Sequence, residues 1–152
     1  MIEFAGRIFR SKAERDVYRA LDYHTSHKRV FTAGYRIEQE VLWKNIFTQP
    51  GQYKSCKVDF FVRDLGLVIA VHGAQHYELV QFGQTPDFSK AVATFRRQLK
   101  RDIALRENCE IDELHLLEID ARSMPQYQNK DDTFVPELVL WLENRVFEVL
   151  SI

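Results

Sequence analysis

Apolar positions along the chain follow two periods in turn. Ala13, Val17, Tyr18 and Leu21 recur at helical spacing, and Ser11-Lys12-Ala13-Glu14 has the S-x-x-E form of a capping box, so a helix is predicted from about Lys12 to Asp22. Residues 29–43, RVFTAGYRIEQEVLW, mix β-branched and aromatic side chains with alternation at Tyr35, Ile37 and Gln39, which predicts strand structure. Trp43 to Cys56 carries a Pro-Gly turn and cations and reads as a loop. KVDFFVRDLGLVIAVHG then predicts a β-hairpin, with strands Lys57–Val62 and Leu67–Val71 around the turn Arg63-Asp64-Leu65-Gly66. The second of these strands is apolar throughout, as expected of a strand covered on both faces.

A polar stretch, 78–87, reads as a second loop before the helix formers of Phe88 to Glu107, where Phe95, Leu99, Ile103 and Leu105 fall largely on one side and FRRQLKR supplies cations opposite. LHLLEID (114–120) is a further buried strand, 121–133 a polar loop, and VPELVLWLENRVFEVL (135–150) an amphipathic helix. This order predicts an α/β sandwich around a small mixed sheet.

Composition narrows the classes. A chain of 152 residues, 45% hydrophobic and 12% aromatic, is expected to form one domain, 1–152, with a real core. Its formal net charge of −1 gives no bulk field for a polyanion, so any nucleic-acid contact must use local patches. Cys56 and Cys109 have no CxxC spacing and no secretory leader before them, which argues against a disulfide framework or structural zinc and for a reducing, cytoplasmic setting. No apolar run approaches the roughly 18 residues of a membrane span, so a soluble protein without a membrane partner is expected.

Candidate chemistry gathers around the hairpin. An aspartate within KVDFF is costly to bury without partners, which marks Asp59 as a site residue. His72 ends the next strand beside Gly73, and His76 lies within reach of the same spot. Asp102 lies on the following helix and Glu14 on the first. Divalent-metal phosphodiester hydrolysis needs such a set, with a carboxylate for a hard cation, a base for water and cations around the phosphate. Each residue also has a plain structural reading. Glu14 can simply complete the capping box, His72 and His76 can close a turn, and Asp102 can pair with Lys100 or Arg106, in which case Asp120 is its replacement. Asp112 and Glu118 are weaker candidates, and His24, His27 and His115 read as surface or structural residues. Arg96, Arg97, Lys100 and Arg101 form either a phosphate-contacting patch or a solvated helix face. Trp43, Phe47, Tyr53 and Tyr77 are core, or stack on bases alongside Lys44, Lys54 and Lys57.

Taken in order, Glu14, Asp59 in VDFFV, His72 in VIAVHG and Asp102 in RRQLKRDIAL resemble the very-short-patch-repair (Vsr) type endonucleases, a branch of the PD-(D/E)XK superfamily, and the related EDxHD homing endonucleases. The likeness spans roughly Ser11 to Asp120. It implies a three-layer α/β/α sandwich with a restriction-endonuclease-like core and a DNA endonuclease dependent on Mg²⁺ or another divalent cation such as Mn²⁺, nucleoid-associated when acting. Asp59 would bind the metal with the Val71 carbonyl. His72 would activate water or steady the phosphate, His76 would be the alternate base, Asp102 would orient the histidine or a water, and Glu14 would complete the shell. Lys57, Arg96, Arg97, Lys100 and Arg101 would contact DNA. The superfamily's acidic residue and lysine correspond here to Ala70 and His72, whereas the Vsr branch can use a main-chain carbonyl followed by histidine, the pattern of Val71 and His72. Gly73-Ala74-Gln75-His76 stands where mismatch-nicking relatives carry wedging aromatics, and two cysteines are too few for their zinc site. A catalytically decayed nucleic-acid-binding module and an RNA- or junction-cleaving enzyme of the same fold are the alternatives.

Overall fold

The computed structural model describes residues 2–26, 35–73, 88–127 and 129–150. The chain opens with a small hairpin, β1 (Ile2–Phe4) and β2 (Arg7–Phe9), and continues through α1 (Lys12–Ser26), β3 (Ile37–Leu42), β4 (Lys57–Val62), β5 (Leu67–His72), α2 (Phe88–Ile111), β6 (His115–Asp120) and α3 (Glu137–Leu150). Four strands form one mixed sheet in the order β3-β4-β5-β6. The first two pairings are antiparallel and β5–β6 is parallel, with Ala70 beside Glu118 and His72 beside Asp120. A parallel pair needs a long crossover, and α2 supplies it.

Helices cover both faces. Val17 and Leu21 of α1 and Leu138, Leu142 and Val146 of α3 pack on Phe60, Val62, Leu67, Ile69, Leu117 and Ile119. On the other face Leu105 and Cys109 of α2 meet Val58, Phe61, Val68 and Ala70, with Trp43 and Phe47 beside them. His24 of α1 is fully buried and its Nε2 lies 3.0 Å from the Val139 carbonyl, tying α1 to α3. Glu118 lies between Leu117 and Ile119, so alternation turns it, like His72 and Ala70, toward α2.

The β3–β4 pairing contains one irregularity. Its register is the same on either side, Gln39 with Phe60 and Val41 with Val58, yet Glu40 and Asp59 do not pair. Ile37, Phe60 and Val62 pack toward α1 and α3, but Val41 and Val58 pack toward α2, so both strands change faces between these positions. Glu40 absorbs the change with φ +51°, a left-handed conformation costing a non-glycine residue about 1–2 kcal/mol. Such strain concentrates where a side chain must be re-aimed.

Several expectations need correction. The first helix runs four residues past Asp22 and α2 four past Glu107. β5 runs one residue past Val71 and closes on His72, as expected of the histidine. The hairpin β1–β2 was not anticipated, and the 43–56 segment folds back on itself through Trp43 N–H to Cys56 O (2.8 Å) and two short 3-10 turns. Trp43 and Phe47 are core, ring to ring at 5.4 Å, with Tyr53 against Trp43. On α2 the apolar side expected to face inward is largely turned out, since Leu99 and Ile103 are exposed while Ala91, Asp102, Leu105 and Cys109 are buried. The strand reading at 29–34, the loop at 78–87, and His27, His76 and Tyr77 lie outside the described residues.

This reversal generates a test on α2. Leu105→Ala should destabilise by about 2–5 kcal/mol, whereas Leu99→Ala should stay within about 0.5 kcal/mol of the parent. Urea midpoints at unchanged slope measure both, and equal losses would contradict the orientation of the helix.

Candidate active site

The change of faces at Asp59 shapes the site. Main-chain pairing of β4 with β5 ends at Phe60 and Ile69, and the next β5 donor facing β4, the Val71 N–H, is taken by Asp59 Oδ2 at 2.7 Å. The carboxylate thus replaces a ladder carbonyl and is held by its neighbouring strand. Above it sits Glu14, in the first turn of α1, whose main-chain N–H is capped by Ser11 Oγ at 3.1 Å. The serine half of the capping box therefore forms, while the Glu14 carboxyl accepts from the Arg10 main chain and reaches the site.

Glu14 and Asp59 interact directly. Burial pushes the Glu14 carboxyl up to about 7, with the Asp59 charge adding to the effect, while a hydrogen bond from the Arg10 main chain opposes it. Asp59 is also raised by burial, against the pull of the Val71 N–H, His72 and Glu14. Two carboxyl groups this close cannot both ionise cheaply, so near neutrality they share a proton.

His72 is 4% exposed and its Nε2 lies 3.1 Å from Glu118 Oε1. Arg106 of α2 grips Glu118 through Nε and Nη2 at 3.0–3.2 Å, and Arg145 of α3 donates to the Glu118 main-chain carbonyl at 3.2 Å. Hydrogen bonds from His72 and Arg106 hold the Glu118 carboxyl at about 2 despite the opposing cost of burial. A carboxylate at hydrogen-bond distance from the His72 ring is thus Glu118, which sequence reasoning ranked low. Its signal was the same as that of Asp59, an acidic residue inside an apolar strand. Asp102 is buried, accepts from Gln98 Nε2 at 3.0 Å and lines the same cleft, whereas the proposed replacement, Asp120, instead binds Arg122.

A cleft of about 800 Å³ joins these groups, within the range of ligand sites. Glu14, Asp59, Ala70, Val71, His72 and Asp102 line it, and Arg10, Lys12, Lys57 and Arg101 supply cations. Of the four α2 cations, Arg101 borders the cleft and donates to Gln98 Oε1, and Arg97 is one turn away, donating to Thr94. Arg96 and Lys100 lie two positions either side of Gln98, on the far side of the helix from the cleft. Arg10 and Lys12 were not anticipated. Arg10 pairs with Glu40 at 2.9 Å, so the strained residue also holds a cation beside the carboxyl pair.

Among the described residues no three His, Cys, Asp or Glu side chains are grouped to hold a metal ion. The donor chemistry nevertheless suits one kind. Asp59, Glu14 and the Val71 carbonyl are hard oxygen donors, and Mg²⁺ is typically bound through one or two carboxylates, keeping several waters or substrate oxygens. A cation placed there would displace the proton the two carboxyl groups share.

The raised Glu14 has a stability consequence. Its folded-state carboxyl releases its proton near 7 and an unfolded one near 4.5, so between these values the folded chain binds more protons and stability falls as pH rises. Glu14→Gln should therefore be close to neutral at pH 5 and raise Tm at pH 8. Thermal melts at both pH values check this, and a variant equally destabilised at both would contradict it.

In comparisons with protein-family models, curated proteins and solved structures, the chain matches none.

Proposed function

We propose that the chain is a divalent-cation-dependent DNA endonuclease that hydrolyses phosphodiester bonds, with a restriction-endonuclease-like core of the Vsr and EDxHD kind. The observation that carries this reading is the Glu14–Asp59 carboxyl pair at an interrupted strand, beside a carboxylate-braced histidine and within a cation-bordered cleft. The order of elements supports it, since α1 bears Glu14, the β4–β5 hairpin bears Asp59 and His72, and α2 crosses over to a parallel strand.

Asp59 and the Val71 carbonyl would hold Mg²⁺ or Mn²⁺, with Glu14 completing the shell. The bound cation supplies phosphate polarisation and a lower cost for deprotonating water. The protein's own residues do the rest. Asp59 stays fixed by the Val71 N–H, and Glu14 would give up its proton to serve as a ligand. His72 accepts the proton of the attacking water, and Lys57 and Arg101 face the phosphates, with Lys12 and Arg10 alongside. Formation of the new P–O bond accompanies cleavage of the old one, whose electron pair stays on the leaving oxygen and is protonated by solvent. Ala70, small and buried where the superfamily carries an acid, leaves the metal with fewer side-chain ligands, and this favours a second reading as a nucleic-acid-binding module without cleavage.

Cleavage of supercoiled plasmid separates the two. The parent should nick or linearise it with Mg²⁺ or Mn²⁺ and stop on chelation, and Asp59→Ala should lose the activity at equal folded fraction. Binding without cleavage by the parent under all metals tried would favour the module, and full activity in Asp59→Ala would remove that residue from the mechanism.

A further inference from the structure

We infer that Glu118, braced by Arg106, is a positioning residue that fixes the ring tautomer of His72. The catalytic consequence rests on the nuclease reading, while the tautomer does not. Glu118 faces α2 from a strand edge that is clamped twice, through its side chain by Arg106 and through its main chain by Arg145. Its carboxylate is ionised, so it can only accept, and the 3.1 Å contact requires His72 Nε2 to carry the hydrogen. A neutral imidazole with hydrogen on Nε2 has its lone pair on Nδ1. Nδ1, itself buried, is then the acceptor nitrogen of the ring, and on the nuclease reading the carboxylate behind Nε2 would steady the imidazolium formed when the attacking water gives up its proton as its oxygen bonds to phosphorus.

The register neighbour of His72 interacts with the ring through its charge. Asp120 lies directly beside it on β6 but is held by Arg122 through both side-chain oxygens, at 3.0 Å each. Glu118, two residues back on the same face, is a carboxylate within hydrogen-bond distance of the ring, and Arg106 reaches it from the helix that roofs this side of the sheet. The arrangement places the partner of the histidine outside the four residues on which the sequence resemblance rests.

Long-range ¹H–¹⁵N NMR of the labelled protein reads the tautomer without metal or substrate, with the His72 signals assigned by their loss in His72→Gln. The parent at a pH where the ring is neutral should show a pyrrole-type Nε2 and a pyridine-type Nδ1. Glu118→Met should average the two nitrogens, Glu118→Asp should partly restore the parent pattern, and Arg106→Gln, which leaves the carboxylate in place, should give an intermediate one. A parent with hydrogen on Nδ1, or a Glu118→Met spectrum matching the parent, would overturn the assignment. Single-turnover plasmid cleavage should fall by about 10- to 100-fold in Glu118→Met with an unchanged DNA dissociation constant, as for lost partners of functional histidines. A loss in binding alone would overturn the positioning role. A parent that never cleaves, yet shows the expected tautomer, would sink the nuclease reading and leave the ring assignment standing.

Discussion

One hydrogen bond organises this molecule, the one Val71 donates to Asp59. A continuing ladder would hand that N–H to a main-chain carbonyl of β4, but the strand has turned over at Asp59 and a carboxylate takes it. A buried donor left open would cost about 1–3 kcal/mol, so the turnover is tolerable only because the side chain that causes the gap also fills it. The cost elsewhere is the left-handed backbone at Glu40, which keeps the partner strand in step. From this the rest follows, since only a carboxylate fixed at the sheet surface can meet Glu14 from the helix above.

Burial then gives that meeting its chemistry. Two carboxyl groups in low dielectric share a proton near neutrality, because burial and the neighbouring charge both oppose ionising the second. Around it the charges are sorted by element. The N-terminal end of α1 and the 43–57 segment bring Arg10, Lys12 and Lys57, α2 brings Arg101, and the α2 face of the sheet carries the His72–Glu118–Arg106 chain. A chain with net charge of −1 can in this way still border one cleft with cations.

What could be read from the sequence was what is local. The Ser11 cap of the first helix, the β4–β5 hairpin with its Gly66 turn at φ +59°, and the final helix are each specified by neighbours a few residues apart, and each formed close to its expected bounds. Asp59 was legible because a charge in an apolar strand needs a reason. The face of α2 was not, because apolar residues lie on two sides of it and the buried side includes two polar residues, Asp102, which lines the cleft, and Asn108, which donates to the Ala104 carbonyl. Glu118 could not be matched to His72 without the parallel register, and the joint turnover at Glu40 and Asp59 depends on two strands at once. Local periodicity carries the elements, and pairing decides which polar residues meet.

The account turns on the carboxyl pair exchanging a proton for a divalent cation. Calorimetry of Mn²⁺ binding at pH 6.5, in buffers of differing ionisation enthalpy, measures the ion and the proton together. The account predicts one bound ion per chain with net proton release, and loss of that binding in Asp59→Asn. Binding that releases no proton, or that persists unchanged in Asp59→Asn, would contradict it.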